Sequence, residues 1–174
     1  IDENELYNSI NEKTILVSMM AVNNEIGSIL PVNSIRGILK AKNSPALIHS
    51  DCVQALSKIS VTPKTIDADI ITVSGHKIHA LKGVGGIYVK NANLIKPYIL
   101  GGGQEKNMHS GTEATPAIFS FGAAAEKSMD IKRNWDYVAR LKEQFLNGIK
   151  DLQNIKINSP DDAIPYITNV SIIG

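Results

Sequence analysis

Cysteine is nearly absent from this chain. Cys52 stands alone, so no internal disulfide can form. An excess of charge of either sign is missing too. A formal net charge of +1 offers no bulk electrostatic handle for nucleic acid or for a membrane surface. No apolar run approaches the roughly 18 residues of a membrane span, and no signal-peptide pattern opens the sequence. Internal repeats, low-complexity tracts and heptad arrays are lacking as well. These absences leave a reducing, cytoplasmic setting as the expectation. What remains is an ordinary globular composition, 43% apolar and 20% charged over 174 residues, the length of one common domain.

Hydrophobic patterning divides the chain into alternating elements. Asp2 with Glu5 predicts a capped short helix to about Ile10. Thr14 to Met20 has the length of a buried strand, and Ala46 to His49 (ending at Asp51), Ile70 to Val73 and Gly86 to Val89 read as a second, third and fourth strand. Asn23 to Gly27 carries turn chemistry, and Val32, Ile35, Ile38 and Leu39 recur at helical spacing up to about Lys42. Helices are expected over Ala114 to Met129 and from Trp135 to about Leu152, with strands of a second sheet at Ile155 to Ile157 and Thr168 to Ile173. Near-continuous apolar strands separated by helices predict an α/β fold with a mostly parallel sheet. The change of pattern places a boundary after residue 129, with residues 1–129 as one domain and 130–174 as the start of an α+β unit. The sequence opens without methionine and stops just past a strand-like run, which reads as a piece of a longer protein.

Function is sought at the polar ends of those strands, because ligands of open α/β sheets bind at the carboxyl edge. Asn23-Asn24-Glu25 follows the first strand, Asp51 and Gln54 the second, and Ser74-Gly75-His76-Lys77 the third. On parallel neighbouring strands these groups converge. Together they meet the needs of pyridoxal phosphate. Lys77 supplies an amine for a Schiff base, and Asp51 a carboxylate to keep the ring nitrogen protonated. Ser74 and His76 offer donors for the phosphate. Gln54 is placed to reach the ring hydroxyl, and Asn24 the same edge or the substrate. The plainer reading of Asn23 and Asn24 is turn formation, and that of Asp51 is an N-cap. His49, His76, His79 and Cys52 lack the spacing of a metal site. The cluster Gly101-Gly102-Gly103 matches neither a dinucleotide nor a P-loop pattern, and permits a tight backbone path.

Four runs appear in order: Val22-Asn23-Asn24-Glu25-Ile26-Gly27; His49-Ser50-Asp51-Cys52-Val53-Gln54; Ser74-Gly75-His76-Lys77-Ile78-His79 with Lys82-Gly83-Val84-Gly85; and Gly101-Gly102-Gly103-Gln104-Glu105 with Ser110-Gly111-Thr112. They resemble the NifS/IscS-type cysteine desulfurases of the class V aminotransferase family, over nearly the whole chain. The resemblance implies the three-layer αβα large domain of fold type I pyridoxal-phosphate enzymes, followed by the start of a small domain. It makes Lys77 the Schiff-base lysine and Asp51 the partner of the pyridine nitrogen. Gln54 would bond the ring hydroxyl and Asn24 would lie beside cofactor and substrate. Ser74 and His76 would hold the phosphate, with Thr112 reaching the phosphate of a neighbouring subunit in a homodimer. The implied substrate is L-cysteine, converted to alanine while sulfur passes as an enzyme persulfide to an iron–sulfur scaffold or another acceptor.

Departures from the family pattern are also visible. The family's catalytic cysteine and substrate-carboxylate arginine lie downstream of the region matched here, and its first phosphate loop and ring-stacking histidine upstream. Cys52 follows Asp51 where the family has a small residue, and reads as a buried structural thiol. His109 replaces an arginine before Ser-Gly-Thr. Leu81 replaces a proline and is expected to loosen the lysine loop. The resemblance leaves two other readings open: another class V enzyme, such as a selenocysteine lyase or an aminotransferase, and a folded domain without turnover.

Overall fold

A computed structural model describes all residues, Ile1–Gly174. Four strands form the main sheet in the order β1-β2-β3-β4: β1 (Leu16–Met20), β2 (Leu47–Asp51), β3 (Ile70–Ser74) and β4 (Gly85–Val89). The first three run parallel, and β4 returns antiparallel to β3. Period-2 alternation sets Val17, Met19, Ile48, Ser50 and Ile71 on one face, where all are buried. Register aligns them across strands, Val17 with Ile48, and Ser50 with both Met19 and Ile71.

Helix α1 (Glu3–Ser9) begins where the Asp2 carboxylate accepts the N–H groups of Asn4 and Glu5. Helix α2 (Val32–Ala41) covers the apolar face with Val32, Ile35 and Leu39, a stripe at i, i+3, i+7. Arg36, on the same helix, reaches Asp69 at 2.9 Å. The other Asp69 oxygen accepts the Ile48 N–H at 2.9 Å, so one buried carboxylate fastens α2 to the sheet. A short helix α3 (Pro63–Ile66) carries a Thr62–Thr65 capping box. Helix α4 (Thr115–Lys127) packs on the same side, with Phe121 beside Gly86 and Val73.

The segment after residue 129 forms the long helix α5 (Ile131–Ile149) and an antiparallel pair, β5 (Ile155–Ile157) with β6 (Val170–Ile172). The connection between those two strands comes back to the first sheet. Ile164 is wholly buried in the main core, and its N–H donates to the Gly27 carbonyl at 3.0 Å. Trp135, Tyr166 and Ile167 pack against the same cluster. The expected α/β architecture is present, with both sheets where patterning placed them. The helices packed on the main sheet gather on its apolar face and leave the face of Ser18, His49, Asp51 and Thr72 at most half-buried.

Candidate functional site

The carboxyl end of β2 is locked by its neighbours. The Asp51 carbonyl accepts the Ala21 N–H at 2.8 Å, and the Cys52 N–H donates to the Thr72 carbonyl at 2.8 Å. This holds the Asp51 side chain at the sheet edge, where Oδ1 accepts the Val53 N–H at 2.8 Å. Just beyond β1, the Asn23 side chain closes the turn by accepting the N–H groups of Glu25 and Ile26, both at 2.9 Å. Asn23 is therefore the turn former, and Asn24 is left exposed beside the sheet edge.

After β3 the backbone winds into a single 3-10 turn, Gly75–Ile78, closed by an Ala80 N–H to Gly75 carbonyl bond of 3.1 Å. Close packing dictates glycine at position 75, since a Cβ there would stand 2.9 Å from Val84 Cγ1 and 3.1 Å from Ala80 Cβ. Ile78 is buried as the anchor of this turn and Lys77 is exposed. Leu81, where looseness was expected, ties the loop down instead. Its N–H donates to Ser120 Oγ of α4 at 3.0 Å, a bond that proline has no N–H to make. At the other glycine cluster, Gly103 takes φ +83°, the tight path expected there.

These elements meet in a cavity of about 240 Å³ lined by Asn24, Asp51, Gln54 and Lys77 with Met20, Val22 and Val53. Four of the expected site residues thus share one concave surface. Its lining joins three apolar side chains to two amides, an acid and an amine. Ser74 and His76 do not line it. Ser74 Oγ and His76 Nδ1 bond to each other at 2.7 Å, leaving a paired hydroxyl and imidazole at the same strand end. Thr112 lies in a separate cavity of about 580 Å³ with His109, Glu105 and the glycines of β4. Within one chain, Thr112 and Lys77 therefore line different cavities.

Cys52 is wholly buried. Burial pushes its thiol up, the neighbouring Asp51 charge adds to this, and the Ser50 hydroxyl at 3.5 Å opposes both. A thiol in that state is a packing group, not a nucleophile. His49 is structural in the same sense. Its ring spans three strands, with Nδ1 at 2.7 Å from Ser18 Oγ and Nε2 at 3.0 Å from Thr72 Oγ1. No group of three or more His, Cys, Asp or Glu side chains is arranged to hold a metal ion. No helix is long and apolar enough to cross a membrane.

Sequence reasoning missed Lys58 and Tyr166. Their polar ends, Nζ and Oη, are buried without a hydrogen-bond partner. Lys58 follows Gln54 in a turn-rich stretch where a lysine reads as solvated. Tyr166 reaches it only because the β5–β6 connection folds back on the core. No sequence signal joins them.

The donor set fits pyridoxal phosphate. A half-buried carboxylate, an amide one turn along and an amine face one cavity, and a hydroxyl–imidazole pair stands at the strand end beside it. Fold and cavity together define a lysine-centred α/β site at the carboxyl edge of a parallel sheet. The whole chain, residues 1–174, matches the aminotransferase class-V family, and it belongs to that family. It is 35% identical to the mitosomal cysteine desulfurase of Encephalitozoon cuniculi, over 98% of this chain and 40% of that protein. It is 39% identical to the mitochondrial cysteine desulfurase of Arabidopsis thaliana, over 99% of this chain and 38% of that protein. Among solved structures, a NifS-like protein superposes with a TM-score of 0.93 at 34% identity, over 99% of this chain and 47% of the other. DndA from Streptomyces lividans gives 0.86 at 32% identity, over 98% and 49%. The chain therefore spans less than half the length of these relatives.

Proposed function

We propose that this chain supplies the cofactor-holding residues of a pyridoxal-phosphate-dependent cysteine desulfurase. The observation that carries the proposal is the shared cavity of Asn24, Asp51, Gln54 and Lys77. The relatives named as cysteine desulfurases support the choice of reaction. When bound, the cofactor supplies an electron sink. Asp51 holds a proton at the pyridine nitrogen, and Gln54 orients the ring through its hydroxyl. Lys77 anchors the cofactor and moves a proton at the substrate's α-carbon. Ser74 and His76 would hold the phosphate, the imidazole through Nε2, which the Oγ–Nδ1 bond leaves available.

The substrate proposed is L-cysteine, with its sulfur passed on to an acceptor such as an iron–sulfur scaffold. The thiolate that takes the sulfur is not Cys52, which is buried and held protonated. The 174 residues alone are thus proposed to bind the cofactor without desulfurating cysteine. A homodimer is part of the same proposal. Thr112 stands apart from Lys77, and Tyr98, Leu100 and Phe119 expose 97%, 77% and 80% of their surface, an apolar area suited to a second subunit.

The test is spectroscopic. Mixing the chain with pyridoxal phosphate should give a near-visible absorption band that borohydride removes and that Lys77→Ala lacks. A band of equal strength in Lys77→Ala would remove Lys77 from the role and the proposal with it.

A further inference from the structure

We propose that the large cavity behind Lys77 is a carboxylate-binding site whose receiving groups are Lys58 and Tyr166. The cavity holds about 790 Å³ and lies between the Lys77 turn and helices α4 and α5. Its lining contains Lys58, Lys77, Lys127 and His79, and neither an aspartate nor a glutamate. A concave wall of one sign focuses its field and gathers counter-ions. The two orphaned atoms of the molecule, Lys58 Nζ and Tyr166 Oη, belong to residues that line this cavity. Buried donors without acceptors are costly and rare, so two on neighbouring side chains point to a missing acceptor.

The two side chains are neighbours, with the amine over the face of the ring. Lys58 Nζ sits 5.9 Å from the centre of the Tyr166 ring. A carboxylate has two oxygens and so accepts from an ammonium and a phenol at once. The amine rests just beneath the cavity wall, and its flexible stem lets it swing outward. Burial, and after it the charge of Lys77, hold the Lys58 amine below the usual lysine range. Burial pushes the Tyr166 phenol up, which keeps it a donor. An arriving anion favours the ammonium form of Lys58 and so opposes its shift. The other titratable groups around the cavity are Lys77, His79, Lys127 and Tyr137.

The ligand class follows from the walls. No arginine lines the cavity, so the fork that favours phosphate is missing. Ala123, Ala124 and Val138 offer apolar surface beside the lysines. A short aliphatic carboxylate matches both halves, its head on Lys58 and Tyr166 and its body on the apolar wall. Lys77 lines this cavity as well as the smaller one, but the carboxylate assignment rests on Lys58 and Tyr166, which the desulfurase proposal does not use.

Trp135 provides the readout. It is the sole tryptophan and meets Tyr166 edge-on, with ring centres 6.3 Å apart. Titrating the 174-residue chain with n-butyrate at constant ionic strength should change Trp135 emission saturably. Butyramide should give no change, and sulfate should bind at least about tenfold more weakly. By calorimetry, Lys58→Met and Tyr166→Phe should each weaken butyrate about tenfold, a loss of roughly 1.4 kcal/mol. Both variants delete an orphaned polar group, so both should fold, and Tyr166→Phe carries the test if Lys58→Met does not. A silent butyrate titration, equal binding of butyramide, or equal binding of sulfate would each overturn the carboxylate assignment.

Discussion

The face of the sheet bearing Val17, Met19, Ile48 and Ile71 is sealed by α2 and by the returning Ile164, whereas the face bearing Ser18, His49, Asp51 and Thr72 is polar and at most half-buried. Both faces come from the same strands, one residue out of phase. On the sealed side each side chain acts by excluding water and filling volume. On the open side the polar groups keep one another paired, as Ser18, His49 and Thr72 do, and Asp51 ends the row at the cavity. The contrast separates what folds the chain from what equips it for chemistry. Substitution on one face should move stability, and on the other should move ligand binding.

The sharpest break in that contrast is Ile48→Ala. Ile48 is 0% exposed at the centre of the sealed face. Removing its methyl and methylene groups leaves a cavity that α2 cannot collapse into, because the Arg36–Asp69 link fixes the helix. The expected cost is about 2–5 kcal/mol, read from urea unfolding. A cost below about 1 kcal/mol would mean that the two faces are packed alike.

Asp69→Asn acts on the one charge admitted to the sealed side. Burial alone would raise this carboxyl. The Arg36 hydrogen bond, the Ile48 N–H and the charges of Arg36 and Lys90 outweigh it and hold the group below the ordinary range. A carboxyl depressed on folding stabilises fully above the unfolded value, near about 3.9, and loses that contribution as pH falls through the folded value. Asp69→Asn should therefore cost about 2 kcal/mol at neutral pH. It should also flatten the acid limb of a stability-against-pH series. An unchanged acid limb would assign acid unfolding to other carboxylates.

Much of this was legible in the sequence. Apolar β-branched runs located every strand, and the stripe Val32, Ile35, Leu39 located α2 with its buried face. The polar strand ends named Asn24, Asp51, Gln54 and Lys77, which line one cavity, because parallel neighbouring strands bring their carboxyl ends together. Other features were hidden for physical reasons. Helix α5 starts at Ile131, before the expected Trp135, because Lys132, Arg133 and Asn134 carry no apolar period and the start depends on Asp130 accepting the Arg133 N–H at 3.2 Å. Hydropathy does not encode strand direction, so the reversal of β4 was not visible. Nor was the return of Ala163 and Ile164 to the first core, nor the meeting of Lys58 with Tyr166. These are long-range contacts of a kind that local pattern does not record.

The smallest expected effect on stability belongs to Asp51→Asn, which sharpens the contrast from the open side. Asp51 is half-buried, and its side chain accepts one hydrogen bond, from the Val53 N–H. The asparagine carbonyl oxygen can accept the same bond, so unfolding free energy should stay within about 0.5 kcal/mol of the parent. What asparagine cannot do is stand as a negative charge opposite a protonated pyridine nitrogen. Cofactor affinity, measured by titrating the near-visible band, should therefore fall by about tenfold or more, roughly 1.4 kcal/mol. A drop in stability matching the drop in affinity would make Asp51 a structural residue of β2. A loss of affinity at constant stability would separate the two faces as the packing does.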